Sequence, residues 1–287
     1  MNILSFALIV GVLGAGGGGG RGPDAQAAAA GGGMGSAEQL QVEAFLRDAK
    51  IASVEKNVMT GRGAAWRVTL RDATGSRRGF FKYINARRPQ IAPMSFKYEI
   101  AAYALSKLVG TPIIPPVIER DVEGKKGSLQ IFLEGCVTDI ERRRTGKPVA
   151  GEPQSLADAF DELTLFESLT ACERDPNDVL IHPETGRVCR VDFAEAFDPA
   201  LPLSPAAAAA GRCSRRLYAG LRDLDPAAAE AALAPYLNAA EIKGLLARRS
   251  LILEKVKALI EAKGEAAVLF DLAVPAAGRG AAAGRTS

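Results

Sequence analysis

From Cys172 to Phe197 the chain reads CERDPNDVLIHPETGRVCRVDFAEAF, and this stretch constrains the fold more than any other. Glu173, Asp175 and Asp178 fall in a polar loop, Val179 to Ile181 is a short apolar run, HPETGR supplies a turn, and Cys189 to Phe193 is a second apolar run carrying Asp192. The pattern predicts loop, strand, turn, strand. A hairpin this short returns the end of its second strand beside the start of its first, so Asp178 and Asp192 can face one point. Two carboxylates at one point hold a divalent cation.

Upstream, the pattern alternates between strand and helix. Glu38 to Asp48 predicts a short helix, followed by strands over Ile51 to Met59, Ala65 to Leu70 and Gly79 to Tyr83, with the glycine turn Thr60-Gly61-Arg62-Gly63 between the first two. The third strand reads Phe80, Phe81, Lys82, Tyr83, placing a lysine inside an aromatic run. Such a lysine either snorkels at an edge or points at an anion. Ser95 to Val109 has helical periodicity, with Ile100, Ala101, Ala104, Leu105 and Leu108 on its apolar face and Glu99 at the edge of that face. Two more strands follow, over Pro112 to Arg120 and Ser128 to Glu134.

The second half is predominantly helical. Gly135 to Ser155 is polar, its Arg142, Arg143 and Arg144 fitting a solvated face; Leu156 to Thr170 is helical and runs into the acidic loop. Beyond Pro199 come an Ala-rich linker, Pro205 to Gly211, and helices over Arg216 to Leu224, Pro226 to Leu237 and Asn238 to Lys263, the last opening on a capping-box pattern, Asn238 to Glu241. Gly264 ends it, and a Gly/Ala tail follows Phe270.

Composition removes several function classes. A net charge of +3, a pI near 8.7 and 6% aromatic residues give little for a polyanion or for base stacking, so nucleic acid is not an expected partner. Cys136, Cys172, Cys189 and Cys213 contain no Cys-x-x-Cys pair and the chain has one histidine, His182, which argues against structural zinc and for cysteines as small buried hydrophobes. Ile3 to Leu13 is apolar but too short to span a bilayer, and the Gly/Ala tract Gly14 to Gly35 cannot pack a core. With Ala25-Gln26-Ala27 as an A-x-A site, residues 1–38 read as an export signal and linker, or as a tail of a cytoplasmic protein.

The order of strands, lysine, helix glutamate, acidic loop and Asp192 resembles the kinase-like superfamily, and most of all its atypical branch of phosphatidylinositol-kinase-like and bacterial kinase-like proteins. The resemblance implies an α+β, two-lobed protein-kinase-like fold: an antiparallel-sheet N-lobe with one helix over 39–135, a mainly helical C-lobe over 136–271, and a disordered tail over 272–287. In that family a strand lysine holds the α- and β-phosphates of ATP and a helix glutamate positions it, roles that fall to Lys82 and Glu99. Gly61 and Gly63 match the phosphate-covering turn, Asp192 the aspartate that binds Mg2+ or Mn2+, Asp178 the asparagine ligand, and Glu173, or the nearby Asp175, the acceptor-orienting aspartate.

The departures have unequal consequences. Asp178 in place of asparagine keeps an oxygen ligand and adds charge, whereas Glu173 in place of aspartate moves the carboxylate by about 1 Å, a misplacement that can cost roughly a hundredfold in rate. Ala194 stands where the metal motif usually has glycine. Three readings follow: an ATP- and magnesium-dependent phosphotransferase acting on a protein, lipid or small molecule; a nucleotide-binding pseudokinase serving as an interaction module; and a two-lobed protein for another ligand.

Overall fold

A computed structural model of the chain describes residues 36–56, 58, 65–86, 94–151 and 153–272. The apolar run near the N-terminus, Ala25-Gln26-Ala27, Gly61, Gly63 and the tail beyond 272 lie outside the described residues.

The first half is built on a five-stranded antiparallel sheet. Helix α1 (Ser36–Asp48) leads into β1 (Lys50–Glu55), β2 (Ala65–Asp72) and β3 (Gly75–Lys82); the short pair β4 (Asn85–Ala86) and β5 (Met94–Ser95) precedes α2 (Phe96–Leu108), and β6 (Val117–Val122) and β7 (Lys125–Ile131) close the unit. The sheet order is β1-β2-β3-β7-β6, so β3 and β7 lie side by side at its centre. Both tight hairpins have local causes. Between β2 and β3 the Thr74 N–H donates to Asp72 Oδ1 at 2.7 Å; between β6 and β7, Glu123 and Gly124 both take positive φ, 48° and 76°, as a two-residue turn matching strand twist requires.

Alternation along these strands gives the sheet two different faces. Phe81 and Leu129 point to one side, where they pack with Val42, Phe45 and Leu46 of α1. Lys82 and its neighbours point to the other, toward α2 and the second half of the chain. Helix α2 starts at Ser95, whose hydroxyl accepts the Lys97 N–H at 3.1 Å, and its apolar face joins the large core of the C-terminal helices. The sheet is therefore covered by a helix on each face, α1 and α2 matching the helices expected over Glu38 to Asp48 and Ser95 to Val109.

The second half begins with β8 (Val137–Thr138), α3 (Asp139–Thr145), α4 (Pro153–Leu169), β9 (Val179–Ile181) and β10 (Val188–Arg190). After these come α5 (Pro205–Ala209), β11 (Cys213–Ser214), α6 (Arg215–Asp223), α7 (Pro226–Leu233), α8 (Ala239–Lys263), α9 (Glu265–Val268) and β12 (Leu269–Phe270). Strands β10, β9 and β8 form a small antiparallel sheet that contains the expected hairpin. Helix α8 is held at its start by the capping box of Asn238 and Glu241 and from the side by Tyr98, whose hydroxyl donates to Glu241 at 2.6 Å. Arg248, buried midway along α8, donates to the carbonyls of Leu169 and Asp198, both at 2.9 Å. The antiparallel sheet with its helices and the helical second half make the α+β two-lobed architecture expected.

Several expectations shift in detail. The expected linker Pro205 to Gly211 contains α5, because Ser204 caps it by accepting from Ala207 N, Pro205 occupies the first turn, and alanines favour the helical state. The strand expected from Pro112 starts at Val117, since Pro115 and Pro116 have no N–H for a ladder. Two of the three arginines read as a solvated face, Arg142 and Arg143, pair with Asp139 on their own helix. All four cysteines are free. Among the described residues no helix is long and apolar enough to cross a membrane.

Candidate active site

The hairpin β9–β10 sets the site. Its ladder runs Ile181 to Val188, Leu180 to Cys189 and Val179 to Arg190, and a further bond from Val191 N to Asp178 O at 3.0 Å extends it by one pair. Leu180, Cys189 and Val191 cluster on the side facing the sheet, whereas Val179, Ile181 and Val188 enter the main core. Asp178, two residues before Leu180, lies on the sheet-facing side. Asp192 follows Val191 with φ 63°, a left-handed conformation that costs a non-glycine residue about 1–3 kcal/mol and persists only where its surroundings hold it.

Those surroundings are Lys82 and Glu99. The ammonium of Lys82, at the end of β3, lies 2.6 Å from Glu99 Oε1 and 2.9 Å from Asp192 Oδ1. The second oxygen of Glu99 accepts the backbone N–H of Phe193 at 3.0 Å, so one carboxylate on α2 holds both the lysine and the residue after Asp192. Burial acts on all three groups. It works against the charge of Lys82, but Asp192 and Glu99 more than offset it and hold the ammonium above its ordinary range. It works against Asp192 too, whose carboxyl Lys82 nonetheless keeps below its ordinary range. Glu99 is pushed up by burial and by Asp192, against the pull of Lys82.

Asp178 is the fourth member, paired with Arg190. Burial first, and then the neighbouring Asp192, push its carboxyl up to about 8, with Arg190 opposing them from 3.3 Å. The chain thus brings Lys82, Glu99, Asp178 and Asp192 together as the sequence predicted. Glu173 and Asp175 are placed differently. The Glu173 side chain is exposed and contributes its carbonyl to the interior, accepting from Arg190 Nη2 at 3.2 Å; Asp175 Oδ1 accepts from the N–H and the side-chain amide of Asn177, at 2.8 and 2.9 Å, and so shapes its own turn.

Arg190 escaped the sequence reading. It is 1% exposed, at the end of β10, with Nε donating to Glu167 at 2.9 Å and the rest of its guanidinium reaching the carbonyls of Glu173, Val191 and Asp192. Glu167, on α4, also receives Arg174 Nε at 2.7 Å. The two loops that carry the acidic residues are therefore tied to one buried arginine. The signal was present: an arginine interrupting the apolar run around Val188 to Phe193, and a glutamate inside the apolar helix Leu165 to Leu169, are the same anomaly that singled out Lys82.

Between the sheet and the hairpin lies a cleft. Phe80, Gln130 and Phe132 form its sheet wall, Leu180 and Val191 its hairpin wall, and Lys82, Asp178 and Asp192 supply the charged groups. Among the described residues no group of three or more His, Cys, Asp or Glu is placed to hold a metal alone. The carboxyl groups of Asp178 and Asp192 suit a cation that completes its shell with phosphate oxygens and water.

A lysine joining a helix glutamate to an aspartate at the mouth of a cleft, between an antiparallel sheet and a helical lobe, defines a kinase-like fold. The chain is similar to the structure of hydra Fam20 with sugar, at 14% identity over 83% of this chain and 93% of that one, with a TM-score of 0.59. It is also similar to the Golgi casein kinase, at 12% identity over 82% and 79%, with a TM-score of 0.59. No protein-family model and no curated protein matches the sequence.

Proposed function

We propose that the chain is an ATP-dependent phosphotransferase that works with Mg2+ or Mn2+. The observation that carries this reading is the Lys82 ammonium, held by both Glu99 and Asp192 beside the buried carboxyl of Asp178 at the mouth of an apolar cleft. A cleft with apolar walls and the Lys82 ammonium at its mouth fits a nucleotide with its base inside and its phosphates at the lysine. Lys82 would bind the phosphates, Glu99 would fix Lys82, and Asp178 and Asp192 would hold the cation, which when bound neutralises charge on the phosphates. The expected glycine turn, Gly61 and Gly63, would cover them. Glu173 would orient the acceptor hydroxyl, with Asp175 setting the turn from which it projects.

On the same reading residues 39–135 are the nucleotide lobe and 136–271 the lobe carrying the acidic loop. A thermal-shift titration with ATP and with Mg2+ or Mn2+, followed by phosphate transfer to a panel of protein, lipid and small-molecule acceptors, tests it. Stabilisation that needs both nucleotide and metal, together with transfer, is expected; no stabilisation by either would end the reading. One observation favours the pseudokinase alternative, namely that the acceptor side is less built than the cation side, the Glu173 carboxylate being on the surface. Metal-dependent nucleotide binding without transfer to any acceptor would select it.

A further inference from the structure

The cleft contains one polar group that the phosphate chemistry does not use. Gln130 lies on β7 directly opposite Phe80 of β3, on the same face of the sheet as Lys82, and its side chain lines the cleft. Its Nε2 is buried and has no hydrogen-bond partner among the described residues. A buried amide left unpaired is destabilising, and a group absent from the free protein can satisfy it. The surrounding walls cannot do so, because Phe80, Phe132, Leu180 and Val191 offer only apolar surface. The ring pair Phe80 and Phe132, with centroids 5.4 Å apart, makes the sheet wall aromatic beside the amide.

We infer that Gln130 is a specificity-determining residue that reads the six-position edge of a purine base and selects adenine over six-oxo purines. The inference rests on the phosphotransferase reading, since it needs a nucleotide with its phosphates at Lys82. Ser128 is the residue opposite Lys82, and Gln130 is two positions further along β7, so the amide sits beyond the phosphate end, where the base must lie. Adenine presents there an amino donor flanked by ring-nitrogen acceptors. A primary amide satisfies both, its carbonyl accepting from the amino group and its NH2 donating to a ring nitrogen. On the edge formed by the six-position and N7, a six-oxo purine offers two acceptors and no donor, so the amide leaves its carbonyl unpaired in either orientation.

Inosine triphosphate isolates this contact, differing from ATP only in the oxo group and the ring proton that accompanies it. Dissociation constants for ATP and inosine triphosphate with Mn2+, measured on the full chain and on Gln130→Leu, are expected to differ about tenfold or more in the parent and to converge in the variant through weaker ATP binding. Gln130→Glu, which retains the shape and loses the NH2 donor, should also weaken ATP, and it serves if the leucine variant does not fold. Equal affinity of the parent for both nucleotides, or a preference that both variants retain, overturns the role of Gln130 and leaves the phosphotransferase reading standing. Failure of the parent to bind either nucleotide overturns both.

Discussion

Glu99 on α2 accepts the backbone N–H of Phe193 at 3.0 Å, joining the helix of the first lobe to the segment that carries Asp192 in the second. The bond makes the placement of Asp192 depend on the placement of α2, because Phe193 is the next residue and Asp192 itself is held in a left-handed conformation. Glu99→Gln keeps an acceptor for Phe193 but gives up the charge facing Lys82, whereas Glu99→Ala loses both. Nucleotide stabilisation should therefore fall in both variants and Mn2+ binding mainly in Glu99→Ala. Calorimetric titration of the two ligands on the two variants separates the roles; equal loss of Mn2+ binding in both would show that the backbone bond does not position Asp192.

Lys82→Met is expected to abolish stabilisation by nucleotide while the far-ultraviolet circular dichroism stays native. The side chain retains an unbranched stem, and Glu99, already pushed upward by burial, can take up a proton when its partner ammonium is gone. If the variant still gains the parental thermal shift from ATP, Lys82 is not the phosphate-holding group.

The architecture was readable from the sequence because its signals are local. The lysine in the aromatic strand, the glutamate on the helix and the hairpin with its two carboxylates each follow from periodicity within a few residues, and all four side chains meet. What was not readable depends on contacts distant in sequence. Arg190 serves Glu167 and the carbonyls of Glu173 and Asp192, none of which a strand pattern specifies. Glu173 was expected to turn its carboxylate toward the acceptor hydroxyl, but nothing in its own neighbourhood records that its main chain, rather than its carboxylate, faces inward. Helix α5 was hidden by composition: an alanine run reads as linker until the Ser204 cap is weighed with it.

Arg190→Met should be among the costliest single changes in the chain. It leaves Glu167 with Arg174 as its partner and takes Arg190 from beside Asp178, and breaking a buried pair in this way typically costs about 3–5 kcal/mol. Chemical unfolding should show that loss, and Arg190→Met with Glu167→Met should cost less than the two changes added together. Strict additivity would mean that the pair does not act as a unit.

Asp178 gives the ligand-free protein a specific pH dependence. Its carboxyl titrates near 8 in the folded chain against an ordinary value of 3.8, so between those limits the folded state holds a proton that the unfolded state has released. Stability from this group falls as pH rises through that window and is constant below and above it. Asp192, held below its ordinary range, acts in the opposite sense and only in acid, its stabilisation being lost as pH falls through its folded value. Asp178→Asn should flatten the fall between about pH 5 and 8. Unfolding across that range, on parent and variant, makes the comparison; parallel profiles would show that the carboxyl is not perturbed.

The acidic residues divide into a cation side and an acceptor side, and three substitutions test that division together. Asp192→Asn removes a charged ligand at the point where Lys82 and the hairpin meet, so Mn2+ binding and nucleotide stabilisation should weaken together. Asp178→Asn keeps an oxygen ligand and removes the carboxyl that must lose a proton before it can bind metal, so both should largely persist and Mn2+ uptake should release less acid near neutral pH. Glu173→Asp touches neither, because the Glu173 main chain is anchored through its carbonyl to Arg190 while its side chain projects outward. Shortening that side chain by one methylene retracts the carboxylate by about 1 Å, so any phosphate transfer should rise with nucleotide affinity unchanged. If Asp192→Asn binds Mn2+ and ATP as the parent does, the two carboxylates do not share a cation; if Glu173→Asp changes nucleotide affinity instead of transfer, Glu173 does not belong to the acceptor side.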